Sequence, residues 1–180
     1  MKTNVLVALS IILFSSVAAD AGHHEAEEQR TVVGMGFSGD GEPKPLYSGS
    51  MSNIKIWQEW IQAHNDRDFD KIAALNSDDF NVYLPDGQRI IGSAAHRELL
   101  EGWIADANTT WEVLWIIPND AVNADGVMEE WLVTGNMLTM TDADGNISLE
   151  YHQVEMKIKD GKLSTGYVVS MENAPAPQAL

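Results

Sequence analysis

The chain has no cysteine. Disulfide staples and lipid attachment at a cysteine are therefore excluded, and the fold must be held by its own core. Positive charge is scarce: 11 Lys and Arg face 27 Asp and Glu, for a formal charge of −16. So acidic a chain repels phosphate backbones and anionic lipid surfaces, which argues against nucleic-acid and membrane-surface partners. Long apolar runs are missing too. The run Val5 to Phe14, broken by Ser10, is shorter than the ~20 residues that span a bilayer, and no later stretch could span one. There is no Gly-rich phosphate loop, no metal-spaced histidine cluster on a regular element and no Gly-x-Ser-x-Gly elbow. No nucleotide, metal or other cofactor is implied.

What is present falls into four parts. Residues 1–21 read as a secretory signal peptide: Lys2, the short apolar run, then Ser15, Ser16, Val17, Ala18 and Ala19, with cleavage after Ala19 or Ala21. The expected location is therefore periplasmic or extracellular, with no membrane contact after cleavage. Residues 22–50 are acidic at first and then rich in Gly and Pro, the composition of a disordered linker. Within it only Thr31-Val32-Val33 offers an edge strand. Residues 51–172 carry the folded domain, and 173–180 form a Pro- and Ala-containing tail expected to be disordered.

The domain opens with helical periodicity. From Ser52 to Asp66, Ile54, Trp57, Trp60, Ile61 and His64 share one face, with Ser52 or Asn53 as the cap. Asp68 caps a short second helix with Phe69, Ile72, Ala73 and Leu75 on its apolar side. Phe80 to Leu84 alternates like a strand and turns through Pro85-Asp86-Gly87 into Gln88–Ile91. Ser93 starts a third helix whose apolar side holds Ala95, Leu99, Leu100, Trp103 and Ile104. Strand patterns fill the remainder: Trp111–Ile117, apolar enough to be covered on both faces, then Val127–Met140, Ile147–Lys159 and Lys162–Met171. Their Asp-Gly and Asp-to-Asn turns predict antiparallel neighbours.

That order, and the local sequences Ala63-His-Asn-Asp-Arg-Asp-Phe-Asp-Lys-Ile-Ala-Ala-Leu75, Asp79-Phe-Asn-Val-Tyr-Leu-Pro-Asp-Gly87, Gly92 and Lys159-Asp-Gly-Lys-Leu163, resemble the NTF2-like superfamily and its SnoaL-like branch. The resemblance implies an α+β cone: three N-terminal helices packed on a strongly curved antiparallel sheet of about six strands, enclosing a pocket. It also implies a homodimer by analogy. It does not select a function, because the superfamily holds isomerases, cyclases, dehydratases and non-catalytic modules.

The candidate chemistry lies on strands. His152 shares a face with Glu150, Val154, Met156 and Ile158, a histidine beside a carboxylate on an inward face. Of Glu129 and Glu130 one must point inward if the strand is regular, and Glu130 is preferred as a proton acceptor. Tyr83 is the candidate oxyanion donor. Trp57, Trp60, His64, Trp103, Trp131 and Glu150 are the expected pocket lining. Aspartates cluster in turns and caps, Asp120 among them, so the aspartate pair of the superfamily's isomerases is missing. The expected partner is a small apolar or polycyclic ligand. The alternatives are a cofactor-independent proton-transfer enzyme and a dimerisation module.

Overall fold

The computed structural model describes residues 30–37 and 41–176; the signal-peptide reading lies outside them. Eight strands and three helices follow in the order β1 (Val32–Phe37), β2 (Pro43–Ser48), α1 (Ser52–Asp66), α2 (Phe69–Leu75), β3 (Asn76–Tyr83), β4 (Arg89–Ile91), α3 (Gly92–Asp106), β5 (Asn108–Val122), β6 (Met128–Thr141), β7 (Ile147–Lys159) and β8 (Lys162–Glu172). They make one curved, unclosed sheet in the order β1-β2-β5-β6-β7-β8-β3-β4, with the helices packed on it. The expected α+β cone is present.

Its details correct the sequence reading in several places. Among the described residues there are eight strands instead of about six, and two of them precede the helices, which are therefore not all N-terminal. The sheet is mixed, because β3 pairs with β8 in parallel, Val82 opposite Gly166 and Tyr83 opposite Tyr167. The long excursion through β4, α3 and β5–β7 between β3 and β8 gives the chain room to return in the same direction. The expected linker contributes β1 and β2. Only Leu46, Tyr47 and Ser48 of β2 pair with β5, after both prolines have passed. Arg30 then binds the carboxylate of buried Asp120 on β5. Composition did not show these partners.

Other boundaries follow their local chemistry. Helix α1 spans the expected Ser52–Asp66, but its N-cap is Met51 and no side chain caps it. At its other end Arg67 takes a left-handed conformation (φ 61°). Its guanidinium donates to the carbonyls of His64 (2.8 Å) and Thr109 (2.6 Å), closing the helix and tying it to β5. Asp68 caps α2 by accepting from the Lys71 N–H at 2.9 Å. Asp160 and Gly161, both at positive φ, form the two-residue turn between β7 and β8. In β5 the covering is one-sided: Ile117 is 55% exposed and Glu112 is exposed, so the apolar run does not mark a strand buried on both faces. Of the tail, Ala174 is buried and its N–H donates to Leu149 O (3.1 Å), which pins that residue beside β7.

The core sits where α1, α2 and α3 meet the concave face. Trp57, Phe80, Leu132, Met156 and Leu163 are almost fully enclosed there. On the convex face Gly135 of β6 lies beneath the Trp115 indole. A methyl at this position would come within 2.2 Å of Trp115 Nε1 and 2.7 Å of the Tyr151 hydroxyl. Gly135→Ala should therefore cost about 1–3 kcal/mol, the usual penalty for overpacking. Chemical denaturation checks this, and a loss under 0.5 kcal/mol would show that the indole swings aside freely.

Candidate functional site

Helix α1 does not press flat against the sheet. Directional hydrogen bonds fix it at intervals. Asn53 Nδ2 donates to Glu130 Oε2 (2.9 Å), Trp57 Nε1 to Asn136 Oδ1 (3.2 Å), and Asn65 exchanges bonds with the backbone of Trp111 (2.8 and 2.9 Å). Between α1, α3, the β3–β4 hairpin and the concave sheet a cavity of about 650 Å³ remains. That is the size of a small-molecule site. Its walls are mainly apolar: Trp57, Trp60, Trp103, Trp111, Leu100 and Met156 among others. Exposed Asp86 and Glu98 also line it, which places the mouth between the hairpin turn and α3.

Polar groups enter this chamber at two places. On the sheet side are Glu150 and His152 of β7, Ser170 of β8 and Asn136 of β6. His152 stands directly opposite Asn136 on one neighbour and Ser170 on the other. His152 Nε2 lies 3.0 Å from Glu150 Oε2, and both side chains are mostly buried (13% and 23% exposed). A carboxylate only accepts, so in this contact Nε2 donates to Glu150. Asn136, fully buried, donates to Thr134 Oγ1 (3.0 Å) and to the His152 carbonyl (3.4 Å) while accepting from Trp57. It links the helix to the strand that carries the histidine.

On the helix side are His64 of α1 and His96 of α3, both buried. Burial is the main cause that holds His64 down to about 4, opposed by its bond to the Trp60 carbonyl. Burial, then the neighbouring His64, takes His96 to about 3. Both rings are thus neutral in the fold at ordinary pH.

The structure gathers Trp57, Trp60, His64, Trp103, Glu150 and His152 around one cavity. Three expected site residues lie elsewhere. Glu130 is on the concave face but beyond the cavity, held by Asn53. Trp131, its neighbour in sequence, necessarily points the other way and stacks towards Tyr167 at 6.5 Å on the convex face. Tyr83 also points outward, because Val82 takes the inward position. Its ring stacks on Tyr167 at 5.1 Å with the Arg89 guanidinium over it at 4.9 Å. Asp120, read as a turn residue, is a buried residue of β5. His96, Asn136 and Ser170 were missed. For His96 a signal existed: with Leu99, Leu100 and Trp103 it completes an i, i+3, i+4, i+7 face. Among the described residues no group of three or more His, Asp or Glu side chains is placed to hold a metal ion.

The SnoaL-like domain family matches residues 57–165, more than half of the chain. The protein belongs to the SnoaL-like domain family. Solved structures agree on the fold. An LEH-like epoxide hydrolase from M. tuberculosis is 18% identical, with a TM-score of 0.53 over 68% of this chain and 84% of that one. A SnoaL-like polyketide cyclase from Agrobacterium tumefaciens is 15% identical, with a TM-score of 0.52 over 66% and 91%. An NTF2-like protein from Burkholderia pseudomallei is 13% identical, with a TM-score of 0.54 over 67% and 91%. No curated protein sequence matches the chain. In this SnoaL-like domain no helix among the described residues is long and apolar enough to cross a membrane.

The two cavity histidines make stability depend on pH with a definite sign. Their folded pKa values lie below the ordinary 6.5, so the unfolded chain binds more protons in the interval between. Their contribution is complete above pH 6.5 and is lost as pH falls through that value towards about 4 and about 3. The melting temperature should fall steadily from pH 7 to pH 4.5, and less steeply in His64→Gln and His96→Gln. Calorimetry across that range tests it; identical slopes in all three proteins would contradict the assignment.

Proposed function

We propose that this SnoaL-like protein binds a small, largely apolar molecule in the cavity between its helices and its sheet. The observation that carries this reading is the 650 Å³ chamber itself: four tryptophans line it without filling it. An apolar chamber with a few polar groups selects ligands by shape first and by hydrogen bonds second. The epoxide hydrolase and the polyketide cyclase of similar fold support a small-molecule occupant. The signal-like sequence of residues 1–21 supports a periplasmic or extracellular location in this reading. The exposed Tyr167, Val169 and Met171 of the convex face offer a surface on which two copies could pair, in line with the homodimer expected by analogy.

A second reading is favoured by one specific contact, the His152–Glu150 hydrogen bond within the chamber. In it His152 accepts a proton from the bound molecule at Nδ1, and Glu150 fixes the tautomer and stabilises the imidazolium. The enzyme would then need no cofactor.

Because Trp57, Trp60, Trp103 and Trp111 line the cavity, occupancy should change tryptophan fluorescence. Protein purified from its host should carry a compound visible by native mass spectrometry, and Val168→Trp should reject it by filling the space. A chamber that stays empty and gives no fluorescence change with any apolar probe would overturn the binding reading. On the recovered compound, His152→Ala should lower turnover by ~10²–10⁴-fold, the range of general acid–base contributions, with the melting temperature nearly unchanged. A large stability loss without a kinetic effect would assign His152 to the core.

A further inference from the structure

His64 and His96 face the chamber from the helix side, apart from the His152 wall. Their ring centroids are 5.4 Å apart. Trp60 packs on both, 4.0 Å from His64 and stacked at 5.5 Å on His96, and Phe80 flanks His96 at 5.1 Å. This apolar packing fixes the rings and keeps them uncharged. Each ring has hydrogen-bonding capacity that the protein does not use. His64 Nδ1 lies 2.7 Å from the Trp60 carbonyl. A carbonyl only accepts, so Nδ1 holds the proton and Nε2 presents a lone pair. His96 makes no hydrogen bond among the described residues, and its buried Nδ1 has no partner. An orphaned buried N–H is the rarer and costlier state, so the proton sits on Nε2, which becomes a donor. One imidazole thus offers an acceptor and its neighbour a donor, on rings whose centroids lie 5.4 Å apart, close enough for one hydroxyl group between them to address both.

We propose that His64 and His96 form a polar subsite that holds one hydroxyl group of the ligand, which donates to His64 Nε2 and accepts from His96 Nε2–H. A ketone would satisfy only His96 and set its lone pairs against that of His64. A bare hydrocarbon would leave both nitrogens dry and unpaired, which costs binding free energy. The subsite therefore selects alcohols and phenols, and it does so independently of any chemistry at His152. The proposal rests on the cavity being a ligand chamber.

The test uses two probes of nearly equal shape, 2-naphthol and naphthalene, titrated against the full chain by tryptophan fluorescence. Wild-type protein should prefer 2-naphthol by about tenfold, the value of one net hydrogen bond near the upper end of its range. His64→Phe and His96→Phe should each reduce that preference to twofold or less while retaining naphthalene binding, which reports an intact chamber. In ¹⁵N NMR of the wild type, 2-naphthol should shift Nε2 of both histidines. Binding of both probes with equal affinity, persistence of the preference in both variants, or unmoved Nε2 resonances at saturation would each overturn the subsite alone. Binding of neither probe would overturn the chamber reading as well. The NMR arm decides the matter even if a variant fails to fold.

Discussion

Three polar clamps tie α1 to the sheet on the side where the cavity opens between them. Asn53 meets Glu130, Trp57 meets Asn136 and Asn65 meets the Trp111 backbone. They are spread over 12 helical steps, about 18 Å at 1.5 Å per residue. Hydrophobic attraction is non-directional, so apolar packing alone does not set the helix's orientation on the sheet. A buried hydrogen bond is directional, and breaking it leaves costly unpaired groups. The polar residues at these positions are thus structural ties. Their role explains why Asn136, fully buried among apolar neighbours, bonds through both ends of its amide.

The same clamps join the fold to the site. Asn136 is opposite His152 on the adjacent strand and also donates to its carbonyl. One hydrogen-bonded chain thus connects α1, through Asn136, to the strand that carries the His152–Glu150 pair. The helix also brings His64 to the chamber, where α3 supplies His96. Helix α1 thereby contacts the sheet-side polar set through Asn136 and contributes His64 to the other.

Local signals made the helices, turns and long strands legible in the sequence. Helix α1 and β7 have the expected bounds, because a strong apolar stripe and tight turns specify them without help from elsewhere. The inward face of β7 was also legible: Val154, Met156 and Ile158 continue the alternation begun by Glu150 and His152. What depended on distant partners was not. Strand β2 is stabilised by pairing with β5, β1 by pairing with β2, and both lie beside the Arg30–Asp120 contact, none of which leaves a periodic trace. Tyr83 was expected inside as an oxyanion donor and Trp131 as pocket lining, yet the pleat forces both outward once Val82 and Leu132 face the core. Glu130 and Trp131 are adjacent on one regular strand, so both could not have lined the same cavity.

The chamber's two histidine sites differ in what surrounds them, and the difference assigns them different work. His152 is partly exposed and has a carboxylate 3.0 Å away. His64 and His96 share neither feature. Trp60, Phe80 and each other are their neighbours, and desolvation is the leading cause that keeps both neutral. A group that resists charging is a poor proton acceptor but a stable hydrogen-bonding surface. In the proposed reading, proton movement would belong at the sheet wall and ligand orientation at the helix side. The fold can keep these tasks apart because one polar set rides on strands and the other on helices.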